Sequence, residues 1–340
     1  MKAIRFHRHG DPGVLVYEDA PDPSPRPGWA VVKVRACALN HLDLFQRRGL
    51  ERVKIPLPHI SGADVAGVVA DPGESGVAVG QRVMVQPGLS CGRCARCLAG
   101  EDNFCASYDV LGYQSDGGYA EYVAVPASNL IPVPDHISDV DAAAFPLAFL
   151  TAWQMLFTRA RLKSSETVLV LAAGSGVGQA AIQLAKAAHA RVIATAGSAA
   201  KLTRARSLGV DEVVNHHTDD LVSTVKRLTA NRGVDLVVEH VGAATWERSV
   251  RCLARGGRVV TCGATTGFET RLDLRHLFAR QLALLGSYMG AKHELLQAAD
   301  WFFNGIVRPT VDCTYPLADA AQAHVRLESS EQFGKIVLVM

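Results

Sequence analysis

Strand and helix patterns alternate between residues 138 and 290, and this alternation restricts the fold more than any other feature. Apolar runs typical of strands occupy residues 167–171, 191–195, 212–215, 234–239, 257–262 and 282–286. Helical patterns lie between them, for example at residues 179–188, 221–229 and 245–253. Repeated strand and helix at this spacing predicts an α/β fold with a mostly parallel, doubly wound sheet.

The turn after the first of these strands is rich in glycine. It reads Ala172-Ala-Gly-Ser-Gly-Val-Gly178 and opens a helix. Backbone N–H groups at such a helix start face a pyrophosphate, and the helix dipole favours an anion there. Ala173 and Ser175 take the first two positions of a G-x-G-x-x-G motif, so the match is imperfect. The order of strand, turn, helix and strand still predicts a dinucleotide site, with contacts from Ser175, Gly176, Val177 and Gly178.

The end of the second strand indicates which nicotinamide cofactor binds. An acidic residue there would accept hydrogen bonds from the ribose 2′-hydroxyl and repel a 2′-phosphate. The sequence at this point lacks an acid and offers Ser198 and Lys201 instead. These side chains can bind and neutralise a phosphate, so NADPH is favoured and NADH is the alternative. Ser198 can also cap the next helix while Lys201 is solvated, and both roles can coexist.

Four cysteines fall within one short stretch, at Cys91, Cys94, Cys97 and Cys105. The spacing lets the thiolates converge on one ion, and Gly92 and Gly100 supply the backbone freedom that such a loop needs. Four sulfur ligands leave no open coordination position, so we expect one structural Zn²⁺ per chain in a lobe at residues 88–106. Disulfides or unligated thiols are the alternative, which a reducing compartment disfavours.

Composition and charge favour a soluble enzyme that acts on a small molecule. The chain has 340 residues, 49% of them hydrophobic and 20% charged, and a formal net charge of +2. A dense basic stripe for nucleic acid is missing, as are a signal peptide and an apolar run of about twenty residues for a membrane span. We therefore expect a cytoplasmic protein that binds neither membrane nor nucleic acid.

The remaining patterns suggest how the chain is divided. Residues 1–137 contain short β-branched runs interrupted by glycine and proline, which predicts a β-rich domain. Residues 138–290 form the dinucleotide-binding domain. Residues 291–340 contain one amphipathic helix near 294–304 and a final strand at 335–340, and we expect them to return to the first domain.

The chain resembles the medium-chain dehydrogenase/reductase superfamily along its full length, in the branch of zinc-type alcohol dehydrogenase-like proteins and quinone oxidoreductases. The segments that carry the resemblance lie at residues 38–43, 58–67, 111–122 and 150–153. The resemblance implies a GroES-like catalytic domain, a Rossmann domain and an active site in the cleft between them. We assign Thr151, in the last segment, as a further cofactor contact. The resemblance also implies a homodimer or homotetramer, formed by strand addition near residues 282–288.

The chain departs from the family at the positions that hold a catalytic metal in zinc-dependent members. Asn40 stands where the family has a cysteine, Ala63 where it has a histidine, and Leu147 near the third ligand. Leu42 replaces the residue that would relay the alcohol proton, and Asp64 replaces the glutamate beside the missing histidine. These departures argue against the ordinary zinc alcohol dehydrogenase mechanism.

The chemistry that needs no Lewis acid is hydride addition to an activated acceptor, because conjugation in a quinone or α,β-unsaturated carbonyl spreads the incoming charge onto oxygen. Asn40 is the residue type found here in zinc-free quinone reductases of the family. Its amide would orient the substrate carbonyl or the nicotinamide, or else satisfy its own loop. Tyr113 would place a hydroxyl in the cleft, or else pack within its loop. We assign Asp43 as the third candidate catalytic residue.

Two other functions stay open at this level. Cys37, His41, Asp43, His59 and Asp64 occupy two neighbouring segments and would supply ligands for an unconventional catalytic zinc, which would make the protein an alcohol dehydrogenase. The alternation of side chains along a strand prevents all of them from facing one ion. The third reading is an NADPH-binding sensor or RNA-binding protein with little turnover.

Overall fold

The computed structural model describes residues 1–24, 26–50, 53–73 and 76–340. The chain divides into two compact units, one of Met1–Leu147 with Ala291–Met340 and the other of Ala148–Gly290. The first unit extends to Leu147 rather than to the predicted residue 137, because the helix Asp139–Ala144 packs against strands of that unit. Within the described ranges, no helix is both long and apolar enough to cross a membrane.

The strands and helices are named here in chain order. The strands are β1 Lys2–Arg5, β2 Val16–Asp19, β3 Trp29–Ala38, β4 Asp64–Asp71, β5 Arg82–Val85, β6 Gly88–Leu89, β7 Asp109–Val110, β8 Tyr122–Pro126, β9 Leu130–Pro132, β10 Thr167–Val170, β11 Arg191–Ala196, β12 Glu212–Asn215, β13 Val234–Glu239, β14 Leu253–Thr261, β15 Ala283–Gly286, β16 Val311–Pro316 and β17 Lys335–Val339. The helices are α1 His41–Arg48, α2 Ala95–Leu98, α3 Asp139–Ala144, α4 Pro146–Trp153, α5 Gly176–Ala187, α6 Ala199–Ser207, α7 Leu221–Leu228, α8 Trp246–Cys252, α9 Leu274–Ala279, α10 Lys292–Phe303 and α11 Ala320–Glu328.

The first unit is built on a sheet with the strand order β16-β17-β3-β4-β5-β9, in which β8 also pairs with β3. The long strand β3 is antiparallel to both β4 and β17, and Ala38 lies opposite Asp64 on one side and Val337 on the other. The apolar residues of these strands meet in one buried core that includes Val32, Val65 and Leu338. The pairing of β17 with β3 makes the C-terminal segment part of the first unit.

The C-terminal segment contains a second helix, so the expectation of one amphipathic helix in residues 291–340 is wrong. Besides α10, the structure has α11 at Ala320–Glu328. This helix is short and rich in alanine, and its buried residues include Ala320, Ala323 and His324. Small side chains give a weak hydrophobic period, and packing in the first unit stabilises the helix.

The second unit is a six-stranded parallel sheet with the order β12-β11-β10-β13-β14-β15. This is the strand order of a Rossmann sheet, so the predicted doubly wound α/β fold is confirmed. Strands β10 and β11 are almost fully buried, as expected when helices cover both faces. The order reverses between β10 and β13, which creates a crevice at the carboxyl ends of these two strands, where ligands of such folds bind.

Candidate functional site

The four cysteine sulfurs come together in the first unit, in the loop at residues 88–106 that we call the cysteine loop. The Sγ atoms of Cys91, Cys94, Cys97 and Cys105 all lie within 4.8 Å of one another. None of the four forms a disulfide. Gly92 and Gly100 adopt φ values of +69° and +76°, a region that favours glycine, so the backbone freedom anticipated for the loop is used.

This geometry fits a tetrahedral Zn²⁺. With Zn–S bonds of about 2.3 Å, a tetrahedron places its sulfurs about 3.8 Å apart. The Cys91 and Cys97 sulfurs are 3.9 Å apart, and those of Cys94 and Cys97 are 3.5 Å apart. Backbone N–H groups of Arg93 and Cys94 point at the Cys91 sulfur and hold the pKa of that thiol below its ordinary value. A stabilised thiolate is the form that ligates metal.

A second polar group lies buried in the sheet of the first unit. It consists of Asn40, Asp64 and Lys335, which we call the lysine cluster. The Lys335 ammonium donates to Asp64 Oδ2 at 2.8 Å and to Asn40 Oδ1 at 2.6 Å. The Asn40 amide donates in turn to Asp64 Oδ2 at 2.9 Å. Only 3% of the Lys335 surface and 0% of the Asp64 surface are exposed, so this ion pair is shielded from water.

Strand register explains why these side chains meet. Asn40 lies two residues after the end of β3, while Asp64 and Lys335 are the first residues of β4 and β17. Because β3 pairs with both other strands near Ala38, the three positions fall at one end of the sheet. The second carboxylate oxygen of Asp64 accepts the Leu147 backbone N–H at 2.7 Å. Both oxygens of this buried carboxylate are therefore hydrogen-bonded.

Asp43 lies beside the lysine cluster with one oxygen satisfied and one not. Its Oδ2 accepts the Asn40 backbone N–H at 2.7 Å, which stabilises the start of α1, and the Tyr119 hydroxyl at 2.9 Å. Its Oδ1 is buried and has no hydrogen-bond partner among the described residues. Burial raises the pKa of the Asp43 carboxyl from 3.8 to about 6. Asp43 can therefore gain or lose a proton near neutral pH.

Tyr113 lies in the turn that follows β7 and is half-buried. Burial and the nearby Asp109 raise the pKa of its hydroxyl above 10.0, so the hydroxyl stays protonated at neutral pH. The preceding carbonyl, that of Gly112, accepts a hydrogen bond from Gln46 and lies 3.0 Å from Nε2 of the buried His59. These contacts hold the turn that carries Tyr113.

The glycine-rich turn of the second unit packs closely against the start of α5. Ser175 is the N-cap of α5, and its Oγ accepts the Gly178 N–H at 2.8 Å. A Cβ at position 178 would lie 2.3 Å from the Ala172 carbonyl oxygen, so only glycine permits this close approach of turn and helix. Gly176 and Val177 form the first turn of α5, where N–H groups lack partners within the helix.

The turn also meets the end of β13 at the crevice of the sheet. His240 directly follows β13, and its Nε2 lies 3.3 Å from Ser175 Oγ and 3.1 Å from the Leu171 carbonyl oxygen. Burial lowers the pKa of His240, so the ring is neutral at physiological pH. The neutral ring adds no charge beside the turn, and its contact with Ser175 Oγ helps to hold that side chain in position.

The other predicted cofactor residues lie in two places, Ser198 and Lys201 at the start of α6 and Thr151 within α4. Ser198 caps α6 by accepting the Lys201 N–H at 3.3 Å, which places both residues in the first turn that follows β11. The capping role anticipated for Ser198 is therefore present. Thr151 is buried within α4, away from the first turns of α5 and α6 in sequence.

Comparison with known proteins agrees with both halves of this description. Residues 26–135 match the family model of the alcohol dehydrogenase GroES-like domain, and residues 176–304 match that of the zinc-binding dehydrogenases. A quinone oxidoreductase of Rattus norvegicus is 30% identical, with 100% of this chain and 98% of the relative covered. An NAD-dependent alcohol dehydrogenase of Sulfurisphaera tokodaii is 31% identical, with 100% of both chains covered.

The chain belongs to the medium-chain dehydrogenase/reductase superfamily. A crystal structure of an NAD-dependent alcohol dehydrogenase is 48% identical, superposes with a TM-score of 0.97 and covers 100% of both chains. The predicted superfamily and the GroES-like and Rossmann folds are therefore confirmed, and the chain is an oxidoreductase. Both quinone oxidoreductases and alcohol dehydrogenases occur among its relatives.

The family's catalytic metal positions carry side chains that do not fit a Zn²⁺ ion. Asn40 directs its amide at Lys335 and Asp64, Ala63 has a methyl group, and Leu147 has an apolar side chain. Of the alternative ligands, His59 is engaged with the Gly112 carbonyl. Across residues 1–24, 26–50, 53–73 and 76–340, the four cysteines are the only His, Cys, Asp or Glu group whose ligand atoms converge as a metal site requires.

Sequence reasoning missed two residues, Lys335 in the lysine cluster and His240 beside the glycine-rich turn. From the sequence, Lys335 is only the polar first residue of a strand-like run. The signal that could have revealed its burial is the wholly apolar segment from Ile336 to Met340 that follows it. His240 looked like one of several isolated histidines, although it directly follows a predicted strand of a parallel sheet. In such sheets, residues at the carboxyl ends of strands face the ligand.

Proposed function

We propose that this protein is an NADPH-dependent oxidoreductase that transfers hydride to a quinone, an α,β-unsaturated carbonyl or a related carbonyl without a catalytic zinc. The lysine cluster is the observation that carries this proposal. The Asn40 amide is committed to Lys335 and Asp64 instead of a metal. Without a divalent cation, a simple alkoxide has little to stabilise its charge, whereas a conjugated acceptor delocalises it.

The reduction adds one hydride and one proton to the acceptor. Bound in its reduced form, the nicotinamide supplies the hydride. Tyr113 is the proposed proton donor to the acceptor oxygen, because burial keeps its hydroxyl protonated at neutral pH. Proton transfer from a positioned side chain contributes a factor of about 10² or more to the rate.

Asn40 and Asp43 act in this proposal at the base of the substrate site. Asn40 is held by Lys335 and Asp64, so its remaining hydrogen-bonding capacity has a defined direction. Asp43 accepts the Asn40 backbone N–H and therefore holds the segment that carries Asn40. Truncation of either residue is expected to reduce turnover through the geometry of this segment.

The cofactor site consists, in our proposal, of Ser175, Gly176, Val177 and Gly178 for the pyrophosphate, Ser198 and Lys201 for the 2′-phosphate, and Thr151 as a further contact. The N-terminus of α5 and the close approach at Gly178 support the first part. The absence of an acid after β11 supports NADPH over NADH. Two relatives are named NAD-dependent, and the ratio of the dissociation constants of NADH and NADPH tests the preference.

One structural zinc per chain, held by the cysteine loop, completes the proposed set of cofactors. All four sulfur ligands come from the protein, which leaves no position for substrate or water. The ion stabilises the loop and takes no part in hydride transfer.

We further propose a homodimer or homotetramer that forms through β15, the last strand of the parallel sheet. Its backbone edge offers hydrogen bonds to a second copy. Phe268, Leu274 and Phe278 are large apolar residues exposed in the same unit. Light scattering that gave the mass of a single chain at micromolar concentration would exclude this assembly.

An alcohol dehydrogenase with a second zinc is the competing function, and the names of the alcohol dehydrogenase relatives favour it. It requires about two zinc ions per chain and loss of turnover in a strong chelator. The two functions are separated by elemental analysis of zinc together with NADPH oxidation by 1,4-benzoquinone and by 2-cyclohexenone. We expect one zinc per chain and turnover that survives removal of loosely bound metal.

The proposed proton donor is tested by the substitution Tyr113→Phe, with Tyr122→Phe on β8 as the matched control. We expect Tyr113→Phe to lower kcat for 2-cyclohexenone about a hundredfold with little change in KM. The control should behave as the parent. Equal kcat values for Tyr113→Phe and the parent protein would remove Tyr113 from the mechanism.

A further inference from the structure

Two adjacent histidines lie over the backbone just before Ser198. His216 and His217 follow β12, and the His216 N–H donates to the carbonyl oxygen of Ala196, the last residue of β11, at 3.2 Å. A Cβ built on Gly197 would lie 2.7 Å from His217 Nε2 and 3.0 Å from His216 Nε2. Both rings therefore turn the same nitrogen toward Gly197, the residue directly before the cap of α6.

Gly197 leaves room for this arrangement. A Cβ at this position would force the His217 ring to shift, because it would lie 2.7 Å from Nε2 of that ring. The ring centroids are 4.5 Å apart at an angle of 64°, so the two rings contact each other edge to face. Sequence analysis placed the 2′-phosphate contacts at Ser198 and Lys201 and did not include these rings.

Other charges converge on the pair from neighbouring helices. Lys201 approaches from α6 and Arg248 from α8, and burial, His217, Arg248 and Lys201 together lower the pKa of His216. Two acids lie in the same loop. Asp219 accepts hydrogen bonds from the Asn215 N–H and the Thr218 hydroxyl. Asp220 caps α7 by accepting the Ser223 N–H, and the charges of Arg248 and Arg251 help to lower its pKa. The charged neighbours that lower the pKa of His216 are all basic residues.

We propose that His216 and His217 form a proton-dependent phosphate site beside Gly197, which makes the selectivity of this protein for NADPH over NADH depend on pH. The inference rests on the NADPH preference proposed above and deepens it. Burial and the neighbouring cations disfavour protonation of His216 in the free protein, whereas a 2′-phosphate dianion favours it. Phosphate binding therefore takes up a proton, and NADPH affinity falls as the pH rises through the titration of His216.

NADH has no 2′-phosphate and serves as the internal reference. Its affinity should change little over the same pH range, because its ribose hydroxyl does not titrate. The second pKa of the phosphate is about 6, so the affinities are compared at pH values above it, where the phosphate is mainly a dianion. One added charge-assisted hydrogen bond contributes about a factor of ten in affinity.

The test measures the dissociation constants of NADPH and NADH by nucleotide fluorescence between pH 6.2 and pH 8.5. Calorimetry with adenosine 2′,5′-bisphosphate and 5′-AMP repeats the comparison without a nicotinamide. We expect the NADH/NADPH ratio of dissociation constants to rise about tenfold from pH 8.5 to pH 6.5 in the parent protein. The double substitution His216→Gln/His217→Gln should flatten this dependence and leave NADH affinity unchanged.

Two further variants complete the design. His189→Asn, at an exposed turn with φ +60° that asparagine tolerates, should keep the full pH dependence. Lys201→Gln should lower the ratio at every pH without removing its slope. A ratio independent of pH in the parent protein, or an unchanged slope in the double variant, would overturn the inference alone. Equal affinity for both cofactors at every pH would also overturn the proposed NADPH preference, and neither result bears on the reduction of quinones or enones.

Discussion

The cysteine loop and the lysine cluster occupy the same compact unit and differ in how their residues come together. The four cysteines lie within fifteen consecutive positions, from Cys91 to Cys105. Asn40, Asp64 and Lys335 come from three strand ends that are far apart in the chain. Local spacing reveals the first site. The second exists only because β3 pairs with β4 and β17.

The two sites also differ in what holds them together. The cysteine loop is partly open to water, and the proposed Zn²⁺ would stabilise its four neighbouring sulfurs as thiolates. The lysine cluster is closed off from water, and its charges neutralise each other within the protein. Loss of one partner is therefore expected to disturb the first site through the metal and the second through an uncompensated buried charge.

The largest effect is expected for Cys91→Ser/Cys94→Ser. Two of the four ligands are lost, and structural zinc contributes on the order of 10 kcal/mol to the folding of small zinc domains. We expect the bound zinc to fall from one ion per chain to nearly none, with a large drop in Tm. Elemental analysis and thermal unfolding measure both quantities. Cys313→Ser, outside the loop, is the control, and full zinc in the double variant would refute the assignment.

Lys335→Met is expected to cause the next largest loss of stability. It leaves the Asp64 carboxylate buried without its cation, which typically costs about 3–5 kcal/mol. Urea unfolding should report this loss, and Lys226→Met, at an exposed lysine, should show almost none. Addition of Asp64→Leu to Lys335→Met should recover part of the stability. A loss below about 1 kcal/mol would mean that the ion pair is not the main stabilising contact.

The Asp43 carboxyl predicts a smaller, pH-dependent effect beside the same cluster. The pKa of this carboxyl is about 6 in the folded protein and 3.8 in the unfolded chain. Between these pH values the folded protein therefore holds a proton on Asp43 that the unfolded chain has lost. Stability is therefore expected to fall as the pH rises from about 4 to about 6, by up to about 3 kcal/mol from this group. Asp43→Asn should remove that part of the slope in urea titrations. An identical slope in both proteins would show that Asp43 titrates normally.

The smallest effect is expected for the exposed ion pair of the cysteine loop. Arg96 and Glu101 form a salt bridge at the surface. Exposed pairs contribute less than about 1 kcal/mol, because water screens them. Arg96→Gln should leave both zinc content and Tm nearly unchanged. A loss of zinc in this variant would mean that the loop depends on its surface charges as well as on its sulfurs.

The Rossmann sheet could be predicted almost strand by strand, since each strand of a parallel sheet is a continuous apolar run and each crossover helix has its own period. The first unit was harder to predict. The short helix α11 and the short strands β6 and β7 have little local signal and depend on packing. The boundary at Leu147 likewise follows from the packing of α3.

The sequence by itself determined the features that depend on neighbouring residues. These are the four clustered cysteines of the cysteine loop, the glycine-rich turn, the cap of α6 at Ser198, and the absence of family metal ligands at Asn40 and Ala63. Only the tertiary structure decided that the Asn40 amide meets Lys335 and Asp64, that Asp43 is buried with an unsatisfied oxygen, and that His216 and His217 face Gly197. The reason is physical. These contacts join residues from separate segments, and strand pairing and burial set their distances and their charge.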